Sequence, residues 1–159
     1  MSSLLIAFCV IGSLTANPST TIPAGIPTEV MSRFIDEYVP LEDAYTKEEI
    51  NLIQRVVQSE MGSCDVQEKS YVASVVFNMI NHPTKRFGKT VKSIIYCKNR
   101  FCKGARKIDE NTKKAVRMAY EENTAPGCYA FNCHKRHCKK FAGWTYKFTD
   151  KYGVNYYGE

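Results

Sequence analysis

Apolar and polar positions follow two different periods along this chain, and the change from one to the other divides it. From Thr46 the period is helical: Ile50, Ile53 and Val57 recur at intervals of three and four, so they share one helix face, and Glu60 continues the same stripe. Thr46 with Glu49 three residues later makes a capping box, and Gly62 after Met61 supplies the stop, which predicts a helix from 46 to about 61. Asp65 and Glu68 repeat the capping signal for a second helix, whose core face is Val72, Val75, Val76, Met79 and Ile80 and which ends before Pro83. Asp109 opens a third, running to about Asn123 through Ala115, Val116, Ala119 and Tyr120, and Pro126 with Gly127 ends it. Between the last two lies an irregular basic region, 83–107, with one short apolar turn at 91–96. The period then falls to two: 129–132, 144–148 and 154–157 are aromatic, alternating and separated by turn residues, which predicts short antiparallel strands. Helices first and strands last is an α+β arrangement.

Ahead of this domain the pattern is different. Residues 30–45 are amphipathic and acidic and can form a short helix, while 17–28 are rich in Pro, Ser, Thr and Gly with no apolar period. Residues 4–14 form an apolar stretch of signal-peptide length, too short to span a membrane. The expected organisation is a leader at 1–16, a linker or pro-segment at 17–45 and one domain at 46–159, exported to a periplasm, cell wall or extracellular space, with membrane contact through the leader only.

Composition sharpens this picture in two places. A length of 159 residues with 44% apolar side chains can bury one ordinary core, not two, and the expected state is a monomer. The net charge of +6 is unevenly spread: residues 1–68 carry three basic and ten acidic side chains, and residues 69–159 carry 19 basic and six acidic ones. Such a C-terminal part concentrates an anionic polymer, whether wall glycan or nucleic acid. No nucleic-acid motif frames the charges, so nucleic acid is not the expected partner. Of seven cysteines, Cys9 stands alone and six fall between Cys64 and Cys138, which in an oxidising compartment predicts three disulfides, Cys97 with Cys102 being the candidate short-range pair.

Glu60 breaks the local rule. It lies on an apolar stripe and in the last turn of its helix, where burial and the negative end of the helix dipole both disfavour an ionised carboxylate. A carboxyl that keeps its proton near neutral pH is what a glycosidic general acid requires.

The segments Gln58-Ser59-Glu60-Met61-Gly62, Tyr71-Val72-Ala73-Ser74-Val75-Val76-Phe77-Asn78, Val91-Lys92-Ser93-Ile94-Ile95-Tyr96 and Arg100-Phe101-Cys102 follow one another in an order that resembles the SleB-type cell wall hydrolases, the spore cortex-lytic family. That family's pattern is an Ala-Glu-Ala-Arg-Gly helix end, an Ala-Val-Val-x-Asn-Arg helix, and an Ile-Tyr followed shortly by Gln-Phe-Ser. The resemblance spans roughly residues 46–157. It implies a small lysozyme-like α+β domain that cleaves peptidoglycan glycan strands, chiefly as a lytic transglycosylase, with Glu60 as acid and base. It also implies Asn78, Tyr96 and Phe101 as scaffold or cleft residues. Sugar rings present apolar faces that stack on aromatic side chains, which adds Phe131, Trp144 and Tyr157 to the substrate-binding set. The chain departs from the pattern at Arg100, where the family has Gln, at Met79, where it has Arg, and at Asn155-Tyr156-Tyr157, where its closing motif has a His.

A transglycosylase needs one carboxylate, because the 6-hydroxyl of the muramic acid is the nucleophile. A hydrolase wants a second, and Asp65 and Asp109, the candidates, read as helix caps. Two further readings compete. Cys133, His134, His137 and Cys138 have the composition of a zinc site for an amidase, but adjacent residues of a strand point to opposite faces, and neither a metal nor another cofactor is expected. A non-catalytic wall-binding module would use the basic stretches 85–107 and 135–140. A bacterium, a spore former and a bacteriophage would all use the glycan-cleaving chemistry.

Overall fold

The computed structural model describes residues 38–98, 100–102, 104–132 and 143–159. The leader, the 17–28 linker, Cys9 and the 133–138 cluster lie outside the described residues. Helix α1 (Leu41–Ala44) is followed by α2 (Lys47–Met61), α3 (Val66–Asn81), the short α4 (Val91–Ile95) and α5 (Glu110–Glu122), then by strands β1 (Cys128–Asn132), β2 (Thr145–Thr149) and β3 (Asn155–Gly158). The α+β reading, with helices first and a small antiparallel sheet last, holds.

Local chemistry sets the helix ends. At α2 both halves of the capping box form: Glu49 N–H donates to Thr46 Oγ1 at 3.2 Å and Thr46 N–H to Glu49 Oε2 at 3.1 Å. Gly62 keeps right-handed angles (φ −50°, ψ −39°), so it does not end α2 as a left-handed cap. Its missing side chain matters instead, because a Cβ there would stand 2.9 Å from the Gln58 carbonyl oxygen. Asp65 caps α3 through the Glu68 N–H at 3.3 Å, and α3 ends at His82, next to Pro83. Asp109 caps α5 through the Thr112 N–H at 2.6 Å, and Asn123 closes it in the left-handed region (φ 44°), which Asn tolerates.

Helix α3 is buried almost all round, as expected of an element that packs against α2, α5 and β1 at once. Three of its buried polar residues have partners within the domain. Ser70 and Ser74 both meet Thr124 Oγ1 at 2.9 Å, and the buried Lys69 ammonium reaches both Asp109 oxygens at 2.9 and 2.7 Å. The folded unit begins at Val39, seven residues before the expected domain start. Leu41 is buried, Tyr45 packs on Phe77 and Tyr120, and Tyr120 Oη donates to the Val39 carbonyl at 2.7 Å. Two apolar side chains thus draw the end of the supposed linker onto the core.

The sheet order is β1-β3-β2, all antiparallel, with Ala130, Tyr157 and Tyr146 in one row and Phe131, Tyr156 and Phe148 in the next. Each pairing carries one register shift, at Cys128/Ala130 and at Tyr146/Phe148. Gly158 ends the central strand where a Cβ would be driven into the Gly127 carbonyl oxygen and Lys147 Cε. Gly158→Ala is therefore expected to lower stability by about 1–3 kcal/mol through overpacking, seen as a lower urea midpoint at unchanged m-value.

The expectation of three disulfides fails, because Cys64, Cys97 and Cys128 are free thiols, and so does the Cys97–Cys102 pairing. Spacing suggested the pair, but Cys97 lies in the turn after α4 with its side chain on a cleft wall. Cys128 is buried in β1 and Cys64 half-buried after α2, and burial pushes both thiols above the ordinary range.

Candidate active site

The C-terminal half of α2 is a spine on which the segment 101–112 hangs. Its side chains engage that segment in succession. Arg55 Nε donates to the Ala105 carbonyl at 3.1 Å, and Gln58 Oε1 accepts from Asp109 N–H at 3.0 Å and from Thr112 Oγ1 at 2.7 Å. Ser59 Oγ accepts from Ala105 N–H at 2.8 Å, and Glu60 Oε1 accepts from Cys102 N–H at 2.6 Å. Irregular backbone needs partners for its amides, and α2 supplies them here. The buried stripe of α2 is Ile53, Val56, Val57 and Met61. Glu60 stands at its edge, half-buried, and the expectation that it lies on the apolar stripe is corrected to that extent.

Phe101, the chain neighbour of Cys102, lines a cleft of about 310 Å³ with Phe87, Arg100, Tyr129, Phe131 and Trp144. The cleft is a set of ring contacts: Phe87 stacks on Tyr129 (5.4 Å, 19°) and Phe101 on Phe131 (6.2 Å, 29°), while Trp144 lies 6.2 Å from Phe87. Tyr129 and Phe131 are two residues apart on β1, so the pleat alone brings both to one face. The Arg100 guanidinium donates to the Phe87 carbonyl at 2.7 Å and to the Ile94 carbonyl at 3.2 Å, which ties the 83–90 loop to the end of α4.

The residues expected at the site divide. Phe101, Phe131 and Trp144 share the cleft, and Glu60 is joined to it through the Phe101-Cys102 backbone. Tyr96 is 54% exposed and lies in a different groove, with Lys47, Arg55 and Lys92. Asn78 takes a scaffold position: its amide nitrogen donates to the carbonyls of Ala125 and Cys128, both at 2.9 Å, and so fixes α3 to the start of β1. Tyr157 is buried in the central strand, edge-on to Tyr146 at 6.1 Å, and does not line the cleft. Phe87 and Tyr129 were missed. The alternation of Tyr129 with Phe131 could have found the second, whereas Phe87 sits in an irregular loop and gives no periodic signal.

Neither candidate second carboxylate is placed to act as a base. Asp65 is a cap whose carboxyl is held well below the ordinary range by hydrogen bonding with Glu68 and then with Lys151. At Asp109 burial works upward, but the hydrogen bonds from Lys69 and Thr112 outweigh it and hold the carboxyl well below that range too. Comparison with protein-family models, curated proteins and solved structures finds no match to the chain.

Proposed function

We propose that this chain cleaves the glycan strand of bacterial peptidoglycan between N-acetylmuramic acid and N-acetylglucosamine, as a lytic transglycosylase of lysozyme-like type, with Glu60 as its acid and base. The observation that carries the reading is the placement of Glu60: a half-buried carboxyl at a helix end, held by the N–H of Cys102, whose chain neighbour Phe101 lines an aromatic cleft. The Cys102 N–H fixes one oxygen at 2.6 Å, which orients the group. The cleft walls offer flat rings for sugar faces, and Lys98 adds a cation for an anionic strand. The motif order around Glu60, Tyr96 and Phe101 points to the same chemistry.

In this reading Glu60 donates its proton to the glycosidic oxygen as the bond to the muramic C1 breaks. The muramic 6-hydroxyl then attacks C1 and returns its proton to Glu60, which leaves a 1,6-anhydro product and a restored acid. One protein carboxylate suffices, and the commitment of Asp65 and Asp109 to helix caps favours that form of the reaction over hydrolysis.

The test is mass spectrometry of fragments released from purified peptidoglycan by the parent chain and by Glu60→Gln. Products ending in 1,6-anhydromuramic acid are expected from the parent, and a rate lower by roughly 10²- to 10⁴-fold from the variant at unchanged circular dichroism. Reducing-end muramic acid would replace transglycosylation by hydrolysis, and no release from either protein would end the enzymatic reading.

A further inference from the structure

The groove around Tyr96 has no part in the chemistry above, yet it is larger than the cleft, at about 520 Å³. Helix α2 lines it with Lys47, Asn51 and Arg55, which recur every fourth residue and so form one row about 12 Å long. Leu52 lines it too, and Lys92 of α4 with Tyr96 at the end of that helix completes the lining beside them. Glu48 is the single carboxylate in the lining. No acidic residue stands between Glu68 and Asp109, a stretch with ten Lys and Arg, so the α4 wall brings positive charge alone. Lys47 and Lys92 are exposed.

The groove and the catalytic carboxyl are tied to the same following segment: Arg55 of the groove donates to the Ala105 carbonyl at 3.1 Å, and Glu60 accepts from Cys102 N–H at 2.6 Å. Ser59 continues the row of Lys47, Asn51 and Arg55, and its Oγ accepts from Ala105 N–H at 2.8 Å. The chain turns from one site to the other at a single step, since Tyr96 lines the groove while Cys97 and Lys98 line the aromatic cleft.

We infer that the groove is a second binding site, for the anionic part of an extended glycan strand: the Tyr96 ring takes a sugar face, and Lys47, Arg55 and Lys92 take the negative charges the strand carries. The inference rests on the reading of Glu60 as a glycan-cleaving acid and adds a region of substrate contact to it. The chemistry recognised is a repeated monoanion along an extended chain, which a wall presents either as stem-peptide carboxylates or as phosphodiesters. Compact ammonium groups serve both.

The experiment uses the full chain carrying Glu60→Gln, so that binding is read without turnover. Its affinity for insoluble peptidoglycan is measured by co-sedimentation, on wall that keeps its phosphodiester polymer and on wall stripped of it. Lys47→Glu with Lys92→Glu, and separately Tyr96→Ala, are compared with Lys113→Glu plus Lys114→Glu, which makes the same charge change at exposed positions of α5. The groove pair is expected to weaken binding about tenfold and the α5 pair less than about twofold. A tenfold effect that survives stripping assigns the carboxylates, one that disappears with stripping assigns the phosphodiesters, and either supports the site. Equal losses from both pairs, or none from the groove pair, would overturn it. Cleavage by the parent chain is scored separately: binding that depends on the groove in a chain that releases no fragments keeps the groove and removes the catalytic reading, and the converse result does the reverse.

Discussion

Asp109→Ala is expected to lower the unfolding free energy by about 3–5 kcal/mol, because it strands a charge inside the protein. Lys69 is 1% exposed in its side chain, and its ammonium is held by both Asp109 oxygens. The same carboxylate caps α5 through Thr112 N–H, a contribution of about 1 kcal/mol on its own. Lys69→Met should behave differently. It removes the buried charge and leaves Asp109, 44% exposed, to water and its cap, so a change within about 1 kcal/mol is expected. The double variant should then recover most of what Asp109→Ala loses, and urea titration of all three closes the cycle. A recovery of less than about 1 kcal/mol would mean that the pair is not the source of the loss.

The pair also predicts a pH dependence. The Asp109 carboxyl is depressed in the folded state, where its hydrogen bonds outweigh burial. A depressed group contributes stability above its unfolded pKa of about 3.9, and that contribution disappears as pH falls through and below that value. The urea midpoint of the parent chain should therefore begin to drop near about pH 4 and keep falling to about pH 2, and the drop should be smaller in Asp109→Ala.

Tyr156→Ala is expected to cost about 3–5 kcal/mol and to damage the cleft as well. The side chain is fully buried and stacks on Phe148 at 4.6 Å, meets Tyr71 of α3 edge-on at 5.7 Å, and lies 6.1 Å from the cleft residue Phe131. It is thus the ring that fixes the sheet to α3 and supports the cleft from behind. Tyr156→Phe keeps the ring and loses the hydroxyl that donates to Asp150 Oδ2 at 3.3 Å, so about 0.5–1.5 kcal/mol is expected. Thermal melts should rank the two in that order, and only the alanine variant should also lower affinity for peptidoglycan.

Much of the frame is legible along the chain because its determinants are local. The caps at Thr46, Asp65 and Asp109 and the apolar periods behind them mark the three long helices to within a residue or two. The site is less legible because its contacts are distant. Nothing near Glu60 announces that the backbone of Cys102, 42 residues on, will supply its hydrogen bond. Asn78 has a residue type suited to a cleft, but its amide is engaged by the carbonyls of Ala125 and Cys128, which come within reach only once α3 and β1 are packed. Tyr157 misleads for a related reason. In the central strand both Tyr156 and Tyr157 are buried, so alternation there does not distinguish core from surface. Counting cysteines, for its part, says nothing of where the backbone carries them.

The position of β2 has a bearing on how the molecule behaves in a crowded solution. Among the described residues it is the last strand of a sheet ordered β1-β3-β2, and four of its five side chains, all but Phe148, are exposed. An outer strand offers its spare amides and carbonyls to any neighbouring chain, and extended aromatic sequence such as Thr-Tyr-Lys-Phe-Thr invites that association. Lys147 places a charge at the middle of this rim, and the register break between Tyr146 and Phe148 twists the rim away from flat pairing. Both features act against fibrous stacking along this rim.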